Sequence, residues 1–139
     1  MIEIDPRSEV PIYQQIRDRV VEAIARGELS PEDSLASVRQ LAGMFGINSA
    51  TVAKAYDALR QDGLIRTNHK SGSVVARGPG QGASQRFVDD WQDRARTLLS
   101  EAIAQGLSDA EVMDHVAGIV AEILQAQYAN ARANAEGAP

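Results

Sequence analysis

Residues 37–75, SVRQLAGMFGINSATVAKAYDALRQDGLIRTNHKSGSVV, constrain the fold more than any other stretch of this 139-residue chain. Ser37 is placed to N-cap a helix carrying Val38, Leu41, Ala42 and Phe45 at helical intervals, and Gly46 supplies a left-handed exit. After Ile47, Asn48 can cap a second helix whose inward stripe is Val52, Tyr56 and Leu59, with Gly63 as its stop. Leu64, Ile65 and Thr67 then form one strand-like run, and Ser73, Val74 and Val75 another. Between them lies the polar loop Asn68-His69-Lys70-Ser71-Gly72. Two helices joined by a tight turn, followed by a hairpin with a cationic tip, make a winged helix-turn-helix, and that arrangement points to duplex DNA.

A net charge of −5 looks wrong for such a partner until it is divided along the chain. Residues 1–38 hold 4 basic and 8 acidic side chains, residues 39–78 hold 6 and 2, and residues 79–139 hold 4 and 9. The basic segment coincides with the elements placed by spacing alone, and two acidic flanks hide it in the total. The chain has no cysteine, which excludes disulfides and thiolate metal sites. No apolar run approaches the ~20 residues of a membrane span, and the acidic, polar N-terminus does not read as a signal peptide. A soluble, cytoplasmic protein with no membrane association is expected.

Upstream, Pro11 can open a helix that runs to Ala25 and is closed by Gly27. Ile12, Ile16, Val20, Val21 and Ile24 form a face that would cover the helix-turn-helix pair, leaving Arg17 and Arg19 towards solvent. Leu29 to Ala36 is a connector in which Leu35 points inward, on a very short strand at most. Gly78-Pro79-Gly80-Gln81-Gly82 marks a boundary. The division is therefore 1–78 for the winged domain, 79–85 for the linker and 86–139 for a helical unit.

That unit carries two helices. The first holds Phe87, Trp91, Leu98, Leu99, Ala102 and Ile103. The second opens with Ser108 as cap, Glu111 as reciprocal partner and Leu107 set to staple onto Val112. Val112, Val116, Ile119 and Ile123 recur at 4-3-4 spacing, with Val120 and Leu124 widening the stripe. The Ala- and Asn-rich tail from Ala129 to Pro139 is expected to fray. A helix pair of about 54 residues cannot bury this much apolar surface alone. Pairing with the same unit of a second chain gives a two-fold homodimer, its interface drawn from Phe87, Trp91, Leu98, Val112, Val116, Ile119, Val120, Ile123 and Leu124. In the other packing, the pair folds back on its own winged domain.

Residues 3–76 resemble the DNA-binding domain of the GntR family of bacterial transcription regulators. The resemblance rests on Ile4-Asp5-Pro6, Pro11-Ile12-Tyr13-Gln14-Gln15-Ile16 and Gly27-Glu28-Leu29, then on Ser37-Val38-Arg39-Gln40-Leu41-Ala42. It continues through Thr51-Val52-Ala53-Lys54-Ala55-Tyr56 with Leu59, Gly63, Leu64 and Ile65. The short helical C-terminal part is similar to the YtrA-like subfamily. That resemblance implies dimerisation through two helices and regulation of an operon, often one encoding a transporter. Glu32 and Ala36 stand where the family commonly has Gly and Pro, Ser49 and Ala53 where many relatives have Arg, and Lys70 where the wing often has a first glycine. An operator therefore cannot be borrowed from relatives.

For contact with DNA, Asn48, Ser49, Ala50, Thr51 and Lys54 lie on the first turns of the recognition helix, where residues reach base edges in the major groove. Ser49 and Thr51 can exchange hydrogen bonds with bases or phosphates, Ala50 can touch a thymine methyl, and Lys54 points outward to phosphate or guanine. Tyr56 packs inward with its hydroxyl at the rim. Arg39 matches the family's DNA-contacting arginine and can grip phosphate or guanine, with a surface salt bridge as its other reading. His69, Lys70 and Ser71 can follow the backbone into the minor groove, with Gly72 permitting close approach. Arg66 either joins them or is simply solvated.

No catalytic site, cofactor or metal is expected. His69 and His115 are the only histidines, Glu111 is explained by capping, and Ser71-Gly72-Ser73 lacks the strand-to-helix turn of a nucleophile elbow. The expected architecture is mainly α: a winged helix-turn-helix of three helices and a small β-hairpin, followed by a two-helix dimerisation unit. The expected function is a dimeric, sequence-specific regulator, a repressor at a palindromic operator, with any small-molecule effector unidentified. Two alternatives stand beside it. One is an effector- or metal-responsive sensor with its ligand between the C-terminal helices, and the other a winged-helix module that binds protein.

Overall fold

The computed structural model describes residues 2–137. Five helices and one two-stranded sheet follow in the order α1 (Ile12–Ala25), α2 (Val38–Phe45), α3 (Ser49–Gln61), β1 (Ile65–Asn68), β2 (Gly72–Val75), α4 (Gln85–Ala104) and α5 (Asp109–Glu136). Local chemistry explains most of the boundaries. Ser37 accepts from the Gln40 backbone N–H while the Gln40 side chain returns to the Ser37 N–H, a reciprocal cap on α2. Gly46 leaves that helix at φ 64°, a left-handed conformation that a Cβ would disfavour. Ser108 and Glu111 repeat the reciprocal cap at α5. Pro11 lies just outside α1, as its N-cap.

The core is built where these elements cross. Ile16, Val20 and Ile24 of α1 pack with Leu41 and Ala42 of α2, Val52, Ala55, Tyr56 and Leu59 of α3, and Ile65 and Val75 of the hairpin. β1 and β2 pair antiparallel with Ile65 opposite Val75 and Asn68 opposite Gly72. The connector adds a third edge. Glu32 N–H donates to Val75 O, Val75 N–H to Asp33 O, and Leu35 N–H to Ser73 O, with Ser34 bridged to Val74. The wing is thus braced against the segment that delivers α2.

One buried polar side chain organises the lead-in. Gln15 donates from Nε2 to the carbonyls of Asp5 (2.9 Å) and Val10 (2.8 Å) and accepts from Asp5 N–H (2.7 Å). All three partners are backbone groups, so the amide is satisfied and the N-terminal segment is pinned to α1.

Tyr56 is 2% exposed, and its hydroxyl donates to the carbonyl of Ala36. Burial raises the phenol above its ordinary value of 10.0, with Arg60 nearby pulling it back. A raised pKa means that the folded state favours the neutral phenol. This contribution to stability is complete below about pH 10 and is lost as pH rises through the folded value. Tyr56→Phe is expected to cost about 1 kcal/mol at neutral pH and to flatten the alkaline limb of the stability curve. An unaltered alkaline limb would assign that titration to another group.

The C-terminal tail differs from expectation. Residues 129–136 continue α5 rather than fraying, and residues 138–139 lie outside those described. The cause is docking. Gln127 donates to the Ala25 carbonyl at 3.0 Å and Asn130 to the Arg26 carbonyl at 2.9 Å, so α5 satisfies carbonyls at the end of α1. Gly27, at φ 77°, makes the left-handed turn out of α1 beside this contact. Elsewhere α4 and α5 are exposed, and Val112 is their one buried residue.

Candidate nucleic-acid interface

The N-terminal turns of α2 and α3 and the tip of the hairpin carry the residues expected to face DNA. Arg39, on the first turn of α2, is exposed and forms no ion pair or side-chain hydrogen bond among the described residues. At α3, Asn48 accepts from the Ala50 N–H at 2.8 Å. Its carbonyl oxygen is therefore committed to capping, and its amide N–H groups remain to donate. Ser49 and Ala50 are exposed and Thr51 is half-buried. The first-turn N–H groups of α3 add a partial positive charge at this end.

Lys54 is exposed, but it does not stand alone. Its Nζ lies 4.0 Å from the centroid of the Tyr13 ring, so α1 positions the cation that α3 presents. Tyr13 is a member of this surface that sequence spacing missed. Nothing local marks a contact across 41 positions.

At the tip, His69, Lys70, Ser71 and Gly72 are all exposed, with Gly72 at φ 74°. Asn68 shapes the turn by accepting from the N–H groups of Lys70 (2.8 Å) and Ser71 (3.3 Å). Arg60 of α3 reaches Asp57 (2.7 Å), Thr67 (3.2 Å) and Ser73 (3.4 Å), and so ties the recognition helix to both strands.

Not all of the basic segment is available. Arg66 is neither free nor merely solvated: one of its guanidinium nitrogens donates to both carboxylate oxygens of Glu32, at 2.9 and 2.7 Å. Arg17 pairs with Asp18 and Asp62, and Arg19 with Glu22, so neither is simply turned to solvent. The outward cations of this surface are Arg39, Lys54 and Lys70.

Glu32 itself sits at φ 77°, the only non-glycine residue at positive φ among those described. That conformation costs about 1–2 kcal/mol for an L side chain, whereas an exposed ion pair returns about 0.2–1 kcal/mol. Glu32→Gly is therefore expected to raise Tm by a few degrees. A lower Tm would show that the pair with Arg66 outweighs the strain.

Hydrogen bonds from Ser108 hold the Glu111 carboxyl below its usual range, as capping requires. No group of three metal-ligating side chains occurs among the described residues. No described helix is long and apolar enough to cross a membrane.

The C-terminal stripe is largely uncovered in the single chain. Leu98 is 66% and Ile119 56% exposed, and Val116, Val120 and Leu124 are also open. Val112 is already buried and Ile123 half-buried. Met113 and Tyr128 extend the exposed apolar surface beyond the residues picked out by spacing. Phe87 and Trp91 face elsewhere, into a crevice shared with α1. One cavity of about 360 Å³ sits among α1, the connector and α2, and another of about 440 Å³ between α1 and the start of α4. A third depression, at Asp93, Leu98 and Glu101, is lined by α4 alone.

Residues 12–75 match the family described as bacterial regulatory proteins, gntR family. Across 137 residues the chain is 35% identical to the HTH-type transcriptional repressor YtrA of Bacillus subtilis, covering 99% of this chain and 96% of that protein. It is 36% identical to YtrA from Sulfolobus acidocaldarius, a GntR-family transcription factor, with a TM-score of 0.52 over 87% of this chain and 97% of that one. A transcriptional antiterminator from Listeria monocytogenes superposes with a TM-score of 0.80 at 24% identity, over 88% and 92% of the two chains. That last likeness speaks to the fold alone.

Proposed function

This chain belongs to the gntR family of bacterial regulatory proteins, and from that premise we propose that it is a homodimeric repressor that binds a palindromic operator. The observation that carries the reading is the set of outward groups on three neighbouring elements. They are unpaired Arg39 on α2, the open N-terminal turns of α3 with Lys54 held by Tyr13, and Lys70 at a turn shaped by Asn68. The α3 turns suit the major groove and the wing tip the adjacent minor groove, with Arg39 on phosphate or guanine. Asn48, Ser49, Ala50 and Thr51 supply the short polar and methyl groups for base edges, and His69, Ser71 and Gly72 accompany Lys70 along the backbone.

Pairing is proposed through the exposed stripe of α5, Val116, Ile119, Val120 and Leu124, with Leu98 from α4. Val112 and Ile123 back it from within, while Phe87 and Trp91, which line the crevice against α1, lie outside the proposed contact. Two recognition helices would then enter successive major grooves about 34 Å apart. The name of the Bacillus subtilis relative, a transcriptional repressor, favours repression over activation. A transporter operon as target and action in the cytoplasm are part of the same proposal.

Selection of binding sites from a random duplex pool tests this directly. The expected product is an inverted repeat with half-sites about one helical turn apart. A pool that shows no enrichment, together with salt-insensitive capture of a protein and no retention on heparin, would favour a protein-binding module instead.

A further inference from the structure

The crevice of about 440 Å³ between α1 and α4 has a divided lining. Arg17, Arg77 and Arg94 share the lining with one carboxylate, Asp62, and since both Asp62 and Asp18 pair with Arg17, Arg77 and Arg94 are left without an acidic partner. Arg17 is engaged with Asp18 and Asp62, and Arg77 donates to the Gly82 carbonyl. Arg94 has no hydrogen bond or ion pair among the described residues. The N-terminus of α4, capped by Ser84 and free of acidic residues in its first turn, adds to the positive field. The other half is apolar. Phe87 and Trp91, one turn apart on α4, stand 48% and 52% exposed, close to Val21 and Leu64.

We propose that this crevice binds a small organic dianion bearing a flat aromatic ring, with the ring on Phe87 and Trp91 and the charge on Arg94, Arg77 and Arg17. An inorganic anion would leave the aromatic half uncovered, and a neutral ring would leave the guanidinium excess unmatched. The volume lies within the range of about 300–1,000 Å³ usual for small-molecule sites. α1 belongs to the winged domain and α4 to the C-terminal unit, so an occupant would bridge the two. A change in operator affinity on binding follows only if the regulator reading holds, whereas the site itself does not depend on it.

Trp91 is the only tryptophan in the chain, so its emission reports on the site directly. The full-length protein is titrated with phenyl phosphate and with phthalate, which separate a phosphate ester from a dicarboxylate as the source of charge. Inorganic phosphate and phenol serve as half-ligands, and calorimetry gives the constants independently of the ring. At least one ring-bearing dianion is expected to saturate the signal below about 1 mM, with each half-ligand and the variant Arg94→Gln weaker by about tenfold or more. No saturable response to either dianion, or equal binding by Arg94→Gln, would overturn the site. Light scattering on the same samples guards against a confusion with pairing. An emission change that follows chain dissociation without heat of probe binding would assign Phe87 and Trp91 to the subunit interface and overturn it as well. Failure to bind any duplex DNA would sink the regulator reading and leave the Trp91 titration standing.

Discussion

Ile119→Asp is expected to yield a folded monomer whose affinity for a palindromic operator is at least about a hundredfold lower. Ile119 is 56% exposed in the single chain, so the substitution removes little from the intramolecular core. In a two-fold interface it acts twice. Each copy forfeits about 1.5–3 kcal/mol of apolar burial and places a carboxylate where it would have to be desolvated. Once the chains separate, the second half-site no longer benefits from being tethered to the first, which is where most of the operator affinity goes. Light scattering and a duplex titration read the two consequences separately. A dimer of unchanged stability would move the interface away from the exposed stripe of α5.

Arg39→Ala is expected to weaken operator binding by about 2–6 kcal/mol in the dimer. A single guanidinium contact is worth about 1–3 kcal/mol, and two-fold symmetry repeats it. If Arg39 grips phosphate, the loss is uniform across sequences and the dependence of binding on salt falls by about one counterion per subunit. If it reads guanine, the loss concentrates on the cognate site. Arg39 has no ion pair or hydrogen-bond partner among the described residues, so the substitution leaves no carboxylate unpaired and stability should be unaffected. An unchanged affinity and salt slope would remove Arg39 from the contact surface.

What could be read from the sequence is what local chemistry determines. The reciprocal caps at Ser37–Gln40 and Ser108–Glu111 join residues three positions apart, and the turn at Gly46 needs only its own φ. The inward stripe of α3, Val52, Tyr56 and Leu59, follows from helical period alone, and all three are buried. Contacts between distant segments carried no such signal. Gln15 is a polar residue in a helix, and its burial rests on three backbone groups of the lead-in that converge on it, which no local spacing marks. For Arg66 the sequence leaves wing contact and simple solvation open, and its partner Glu32 lies 34 positions away, beyond any local signal.

The tail shows the same divide. Its Ala- and Asn-rich composition reads as a fraying end. Gln127 and Asn130 instead reach across more than a hundred positions to the last carbonyls of α1 and keep the helix in place. The charge partition overstated the supply of free cations in residues 39–78. Arg60 and Arg66 are held by acidic partners and Arg77 donates to the Gly82 carbonyl, which leaves Arg39, Lys54 and Lys70 outward.

The most direct measurement is a titration of the purified full-length protein against duplex DNA from upstream of its own gene, at two salt concentrations, with random duplex as competitor. Binding by a dimer, several orders of magnitude tighter than to the competitor and falling steeply with salt, is the result expected of a sequence-specific regulator. Absence of affinity for any duplex at low salt would contradict the assignment of α2, α3 and the wing as a DNA-reading surface.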